Sequence, residues 1–120
     1  MNDKELYIKA TAAAENAYAP YSDFRVGAAV LTMDGEVFLG ANVENASYGA
    51  TICAERVAIA SAVAAGNRDF EAIAVTAPPC GICRQFIFEF GDNIRVITGP
   101  DADHLESETI SALLPGGFHL

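Results

Sequence analysis

The sequence predicts an α/β fold, one mixed sheet of about five strands covered by helices. Three observations lead there. Helix-like and strand-like stretches follow one another as α-ββ-α-β-α-β-(β)-α. Asp34-Gly35 joins two adjacent strand-like runs and is a strong short-range hairpin signal, which makes that pair antiparallel. The chain has 120 residues, a length that suits a single domain over 1–120, and it shows no internal repeat, low-complexity stretch or linker.

The elements follow in order. Asp3 to about Tyr18 has helix-forming composition, with Leu6, Ala10, Ala13, Ala14 and Ala17 near one stripe. Ala19-Pro20 is expected to end that helix, because the residue before proline avoids the helical region. Phe24–Met33 and Glu36–Val43 are apolar and partly β-branched, and Asp34-Gly35 between them is expected to form a two-residue turn of positive φ. Glu44–Ala50 is turn-rich and reads as loop. Thr51 is the expected N-cap of a helix over Ile52–Ala65, stopped by Gly66-Asn67. That helix is apolar nearly all round (Val57, Ala58, Ile59, Ala60, Ala62, Val63, Ala64), so it is expected to be buried. Glu71–Ala77 reads as a buried strand, and Pro78-Pro79 leads into a helix over Gly81–Phe90 stopped by Gly91. Ile94–Thr98 is another strand, followed by a turn at Gly99-Pro100-Asp101. A short strand and a short helix over Thr109–Leu114 finish the chain before Pro115-Gly116-Gly117.

Composition narrows the function. Hydrophobic residues make up 52% of the chain and mean hydropathy is +0.24, enough for a real core and with apolar area to spare for an oligomer. The formal net charge is −9, from seven Lys and Arg against sixteen Asp and Glu. Polyanions are held mainly by cations, so nucleic acid and anionic membranes are not expected partners, and a small neutral substrate fits better. Met1-Asn2-Asp3-Lys4-Glu5 is charged and carries no apolar signal region. The longest uncharged runs reach about a dozen residues, short of the roughly 18 that a membrane helix needs. A soluble, cytoplasmic protein is therefore expected. Three cysteines, an odd number, point to a metal or reactive thiols rather than a disulfide framework.

The chemistry centres on Thr51-Ile52-Cys53-Ala54-Glu55-Arg56, which places a thiol and a carboxyl two residues apart at a helix start. Cys80-x-x-Cys83 has metal-ligand spacing and also lies at a helix start. The partial positive charge of helix N-termini favours thiolates, and three thiolates suit zinc with a fourth position left for water. Two other readings stand beside this one. Cys80 and Cys83 have the spacing of a redox pair, although that leaves Cys53 and Glu55 without a task. A structural zinc would need a fourth protein ligand, for which only His104 and His119 offer nitrogen. Glu55 favours the catalytic reading, because a carboxyl in an otherwise apolar first turn can take a proton from water and return it elsewhere. Arg56, three residues after Cys53 and on the same helix face, would offset the net charge of three thiolates on a divalent ion.

Cys53-Ala54-Glu55-Arg56 followed by Pro79-Cys80-Gly81-Ile82-Cys83-Arg84-Gln85 resembles the paired CAER and PCGxCRQ motifs of cytidine deaminases. The likeness extends to Ala17-Tyr18-Ala19-Pro20-Tyr21-Ser22-Asp23-Phe24-Arg25-Val26-Gly27-Ala28, to Asn42-Val43-Glu44-Asn45-Ala46-Ser47-Tyr48, and to Leu113-Leu114-Pro115-Gly116-Gly117-Phe118. It covers nearly the whole chain and points to the small, free-nucleoside branch. It implies a three-layer α-β-α fold, a homotetramer and pyrimidine salvage by hydrolytic deamination of cytidine or deoxycytidine. By resemblance, Cys53, Cys80 and Cys83 hold zinc and Glu55 shuttles protons. Asn42 and Glu44 meet the ribose hydroxyls, Phe24 stacks near the base and the Ala54 backbone reads the pyrimidine edge. Ala46, Tyr48 and Phe118 reach a neighbouring subunit's site, and Arg56 hydrogen-bonds the cysteines. One departure stands out. The family usually has a longer connection before PCGxCRQ, whereas Ala77-Pro78-Pro79 runs almost directly from Val75-Thr76 into Cys80. A modified nucleoside or a nucleoside antibiotic is accordingly the alternative substrate.

Overall fold

The computed structural model describes residues 1–120, and its elements follow the expected order: α1 (Asp3–Ala14), β1 (Gly27–Thr32), β2 (Val37–Ala41), α2 (Ala54–Ala64), β3 (Phe70–Val75), α3 (Gly81–Phe88), β4 (Arg95–Thr98), β5 (Glu106–Thr109) and α4 (Ile110–Leu113). The five strands form one sheet in the order β2-β1-β3-β4-β5. Only β3 and β4 run parallel, joined by α3 as the crossover that parallel pairing requires. The β1–β2, β1–β3 and β4–β5 pairs are antiparallel.

Strand alternation divides the core into two layers. Ala28, Val30, Ile73, Val75 and Val96 point to one face, where Ala54, Ala58, Ile59 and Ala62 of α2, Ile87 and Phe88 of α3, and Ile110 of α4 cover them. Ala29, Leu31, Ala72, Ala74 and Ile97 point to the other, where Leu6, Tyr7 and Ala10 of α1 pack. The result is the three-layer α-β-α arrangement. Phe70 shares parity with Ala72 yet packs under α2 and α3, because the register slips between Leu31 and Thr32 and leaves one extra residue on β3.

Two glycines set the spacing of these layers. A methyl on Gly27 would collide with the α1 backbone at Ala10 and Ala14, and one on Gly40 with the α2 backbone at Ala54 and Ala58. The start of α2 can therefore lie directly on β2, and that start carries the central motif.

Four local expectations need correction. α1 stops at Ala14 with Glu15 as C-cap, well before Pro20, because Tyr18 leaves the helix to bridge Val43, donating from its N–H to the Asn42 carbonyl and accepting from the Glu44 N–H. The hairpin loop is longer than two residues. Thr32 N–H donates to the Glu36 carbonyl across Met33-Asp34-Gly35, and only Gly35 of the three has positive φ, whereas a two-residue type I′ turn would need it at Asp34 as well. Thr51 does not cap α2. Ile52 pairs with Val43, and the helix begins one residue after Cys53. At the other end Gly66 (φ +96) and Asn67 donate to the carbonyls of Val63 and Ala62, the Schellman stop that Gly66-Asn67 suggested. α2 is also less enclosed than expected. Ala58, Ile59 and Ala62 are buried, but Ala60, Ser61 and Ala64 face outward.

Candidate active site

Cys53 and Cys80 occupy the N-cap positions of α2 and α3, and neither closes the full side-chain cap hydrogen bond usual there. Cys83 follows in the first turn of α3 and is buried. The three sulfurs lie within 4.8 Å of one another, with Cys53 Sγ 3.9 Å from Cys80 Sγ. Tetrahedral Zn–S bonds of about 2.3 Å would put two sulfurs about 3.8 Å apart, so the donor set fits zinc in both chemistry and spacing. No histidine joins the group. His104 Nδ1 pairs with Asp101 at 2.8 Å, and His119 Nε2 lies 2.8 Å from the Phe88 carbonyl with its ring stacked on Phe88. The closed structural site considered above thus lacks its fourth protein ligand, and three sulfurs leave one position open.

The charges around the sulfurs suit a cation. Burial pushes the Cys83 thiol well above the ordinary thiol range, and the neighbouring Glu55 and Cys53 charges add to this. Partial burial also raises Cys80, but N–H groups of Cys83 and Ile82 and the thiols of Cys83 and Cys53 outweigh it and bring Cys80 below its ordinary value. A divalent cation reverses the cost of ionising all three. Arg56 Nη2 donates to the Thr51 carbonyl at 3.1 Å and reaches Cys53 Sγ at 3.7 Å, so one guanidinium ties the approach to α2 to a candidate ligand. Its Nε is buried without a partner, the mark of a cation held beside the thiols rather than out in solvent.

Glu55 is 3% exposed, in the first turn of α2. Burial raises its carboxyl above the ordinary range, opposed by its own N–H, the Cys83 thiol and the Arg56 charge. A carboxyl so placed holds a proton more readily than one in water, as an acid/base group requires. Cys53, Ala54, Glu55 and Cys80 line a cavity of about 200 Å³ together with Phe24, Val26, Asn42, Thr51, Ala77 and Pro78. Two of the three metal candidates, the carboxyl and three expected substrate residues, Phe24, Asn42 and Ala54, therefore share one space.

The other expected site residues lie beside it. Asn42 is buried at the end of β2, with Oδ1 accepting from the Val26 N–H at 2.8 Å and Nδ2 donating to the Phe24 carbonyl at 2.9 Å. Its amide thus holds the Phe24 segment in place. Glu44 lies in an adjoining depression with Tyr21, Ser22, Tyr48 and Thr51. The Ser22 hydroxyl and the N–H groups of Tyr21 and Ser22 hold its carboxyl below the ordinary value. Phe24, Tyr48 and Phe118 are 61%, 76% and 61% exposed in the single chain, and Ala46 is exposed too. The sequence reading did not single out Ser22 or Val26. Ser22 carried a faint local signal, a hydroxyl two residues before the Phe24 N–H that it accepts, as in turns built on serine.

Comparison with known proteins agrees with this geometry. Residues 1–99 match the family model described as the cytidine and deoxycytidylate deaminase zinc-binding region. A cytidine deaminase of Halalkalibacterium halodurans is 49% identical over 97% of this chain and 94% of its own length. A probable cytidine deaminase of Dictyostelium discoideum is 49% identical over 98% of this chain and 86% of its own. A crystal structure of cytidine deaminase from Burkholderia pseudomallei superposes with a TM-score of 0.92 at 46% identity, covering 98% of this chain and all of that one.

Proposed function

The chain belongs to the cytidine and deoxycytidylate deaminase family, and from that premise we propose that it deaminates cytidine and 2′-deoxycytidine to the corresponding uridines and ammonia. The observation that carries this reading is the buried Glu55 carboxyl in one cavity with Cys53 and Cys80, whose sulfurs gather with that of Cys83. Cys53, Cys80 and Cys83 hold the zinc ion, which when bound supplies the Lewis acidity that lets water be deprotonated near neutral pH.

The remaining work falls to the chain's own groups. Net, a C4–O bond forms and the C4–N bond breaks. One proton of the water ends on pyrimidine N3 and the other leaves with ammonia. The Glu55 carboxylate takes each proton in turn, giving the first to N3 and the second to the departing amine. Its burial supports this cycle, because it raises the carboxyl's hold on a proton above that of a carboxyl in water. Ala54 sits at the first position of α2, where helix N–H groups lack partners within the helix, and its backbone reads the pyrimidine edge. The Phe24 ring stacks near the base, while Asn42 and Glu44 face the ribose hydroxyls.

A cavity of about 200 Å³ is smaller than the roughly 300 Å³ at which small-molecule sites usually begin. The exposed Ala46, Tyr48 and Phe118 supply what is missing to a neighbouring copy in a homotetramer, and the outward Ala60 and Ala64 of α2 leave apolar surface for such contacts. The enzyme acts as one domain over 1–120, in the cytoplasm, in pyrimidine salvage. A second substrate reading has one observation behind it. Ala77 and Pro78, from the short connection before Cys80, form part of the cavity wall, so a modified nucleoside or nucleoside antibiotic has a different mouth to pass. An ammonia-release panel of cytidine, deoxycytidine and modified nucleosides tests both readings. Turnover of the two parent nucleosides is expected, and release from modified substrates alone would overturn the first reading.

A further inference from the structure

The segment Tyr21–Val26 forms neither helix nor strand, yet it presents Phe24 to the cavity. Something other than a sheet or helix ladder must fix it, and side chains do so. Asn42 binds its far end, and Glu44 binds its near end through the N–H groups of Tyr21 and Ser22 at 2.9 and 3.1 Å. Ser22 joins the two halves. Its hydroxyl contacts Glu44 Oε2 and also the Phe24 N–H at 3.0 Å. An ionised carboxylate can only accept, so the hydroxyl proton goes to Glu44 and its lone pair receives the Phe24 N–H.

The count of acceptor sites gives this contact its consequence. A carboxylate offers about four acceptor positions, two on each oxygen. In Glu44 both positions on Oε1 are taken by backbone N–H groups, and one on Oε2 is taken by Ser22. The position left for a ligand hydroxyl is on Oε2, the atom that Ser22 orients. The lowered Glu44 pKa, owed first to Ser22, agrees with a carboxylate kept charged and in place.

We propose that Ser22 is a positioning residue for nucleoside recognition, its hydroxyl aiming the free acceptor of Glu44 at the ribose while fixing the backbone of Phe24 beside the base. The inference rests on the nucleoside-deaminase reading above. Ser22→Thr and Ser22→Val test it, since they have nearly the same shape and differ in the hydroxyl. Ser22 is exposed, so neither change disturbs the core. The Thr variant is expected to keep kcat/KM for cytidine within about threefold. The Val variant is expected to lose about tenfold, at the low end for a hydrogen bond to a charged group, through KM rather than kcat. In a Glu44→Ala background the Val-to-Thr difference should shrink to under about twofold, because the partner is gone. Zinc content should match the parent in both variants. Tm should match it for Thr and fall only slightly for Val, which loses the hydroxyl's contacts with Glu44 and the Phe24 N–H, so full zinc loading separates positioning from general damage. Equal behaviour of Val and Thr, an undiminished difference without Glu44, or a loss in kcat alone would overturn the inference while leaving the deaminase reading intact. A zinc-loaded parent that fails to turn over cytidine and deoxycytidine would overturn both, and is seen before any variant is made.

Discussion

Glu55→Gln exchanges one carboxyl oxygen for an amide in a side chain that is 3% exposed. Volume and shape are kept, so no cavity opens in α2, and the three sulfurs are untouched. The change also removes a carboxyl whose ionisation burial opposes, so stability should hold or rise slightly. What is lost is the ability to accept a proton and return it. A positioned acid/base group contributes about 10²- to 10⁴-fold, or roughly 3–5 kcal/mol of activation free energy. Three measurements on one preparation check this: bound zinc by elemental analysis, Tm, and initial rate from the ultraviolet absorbance of cytidine. The expected outcome is parental zinc, parental Tm and a rate down at least a hundredfold. A zinc-loaded variant within about tenfold of the parent rate would refute the proton-shuttle role of Glu55.

Three further outcomes follow from the same structure. Gly40→Ala drives a methyl into the α2 backbone at Ala54 and Ala58. A cost of about 3 kcal/mol is expected for such overpacking, roughly a 12 °C fall in Tm for 120 residues by calorimetry, and an unchanged Tm would contradict the close β2–α2 contact. Arg56→Met keeps most of the side-chain stem but removes the donor to Cys53, so zinc affinity should weaken about 10- to 100-fold in competition with a chromophoric chelator. Equal affinity would deny Arg56 its charge-balancing role. Glu44 and Asp101 are held below their ordinary values of 4.5 and 3.8, the first chiefly by Ser22 and the second by His104. Depressed carboxyls contribute stability that is fully present above those values and lost as pH falls through the lower folded-state ones. Unfolding midpoints should therefore drop in acid below pH 4.5, and Ser22→Ala should shrink the drop. An identical acid profile in that variant would show that the hydroxyl does not depress Glu44.

Element order was legible because each element has its own local period and punctuation. Gly66 stops α2, the alternation in β1 and β3 builds both core faces, and α3, although it ends at Phe88 before the expected stop at Gly91, is the crossover between parallel strands. Boundaries were less legible where a distant partner competes with local preference. Tyr18 could have continued α1 but pairs with Val43, and Thr51 could have capped α2 but its neighbour Ile52 is drawn to the same strand-like residue. The outward face of α2 shows another limit, because apolar composition alone does not say which of its residues the fold covers. At the site, Cys80 and Cys83 were legible from spacing and Glu55 from its apolar neighbours. That Cys53 closes on them is a contact across the fold, which spacing alone does not reveal. The tasks of Phe24, Asn42 and Glu44 came from family resemblance, since their local sequence reads as strand and turn. Ser22 escaped notice because its partner Glu44 lies 22 residues away.

The proposed activity requires zinc to be held, and cytidine to be deaminated, at the same three sulfurs. The most direct measurement removes zinc stepwise with a chelator, restores it, and records bound metal and cytidine turnover on each sample. Activity should fall in proportion to bound zinc, extrapolate to zero without it, and return as the content approaches about one ion per chain. Full turnover of cytidine in metal-free protein, or none in fully loaded protein, would contradict the account.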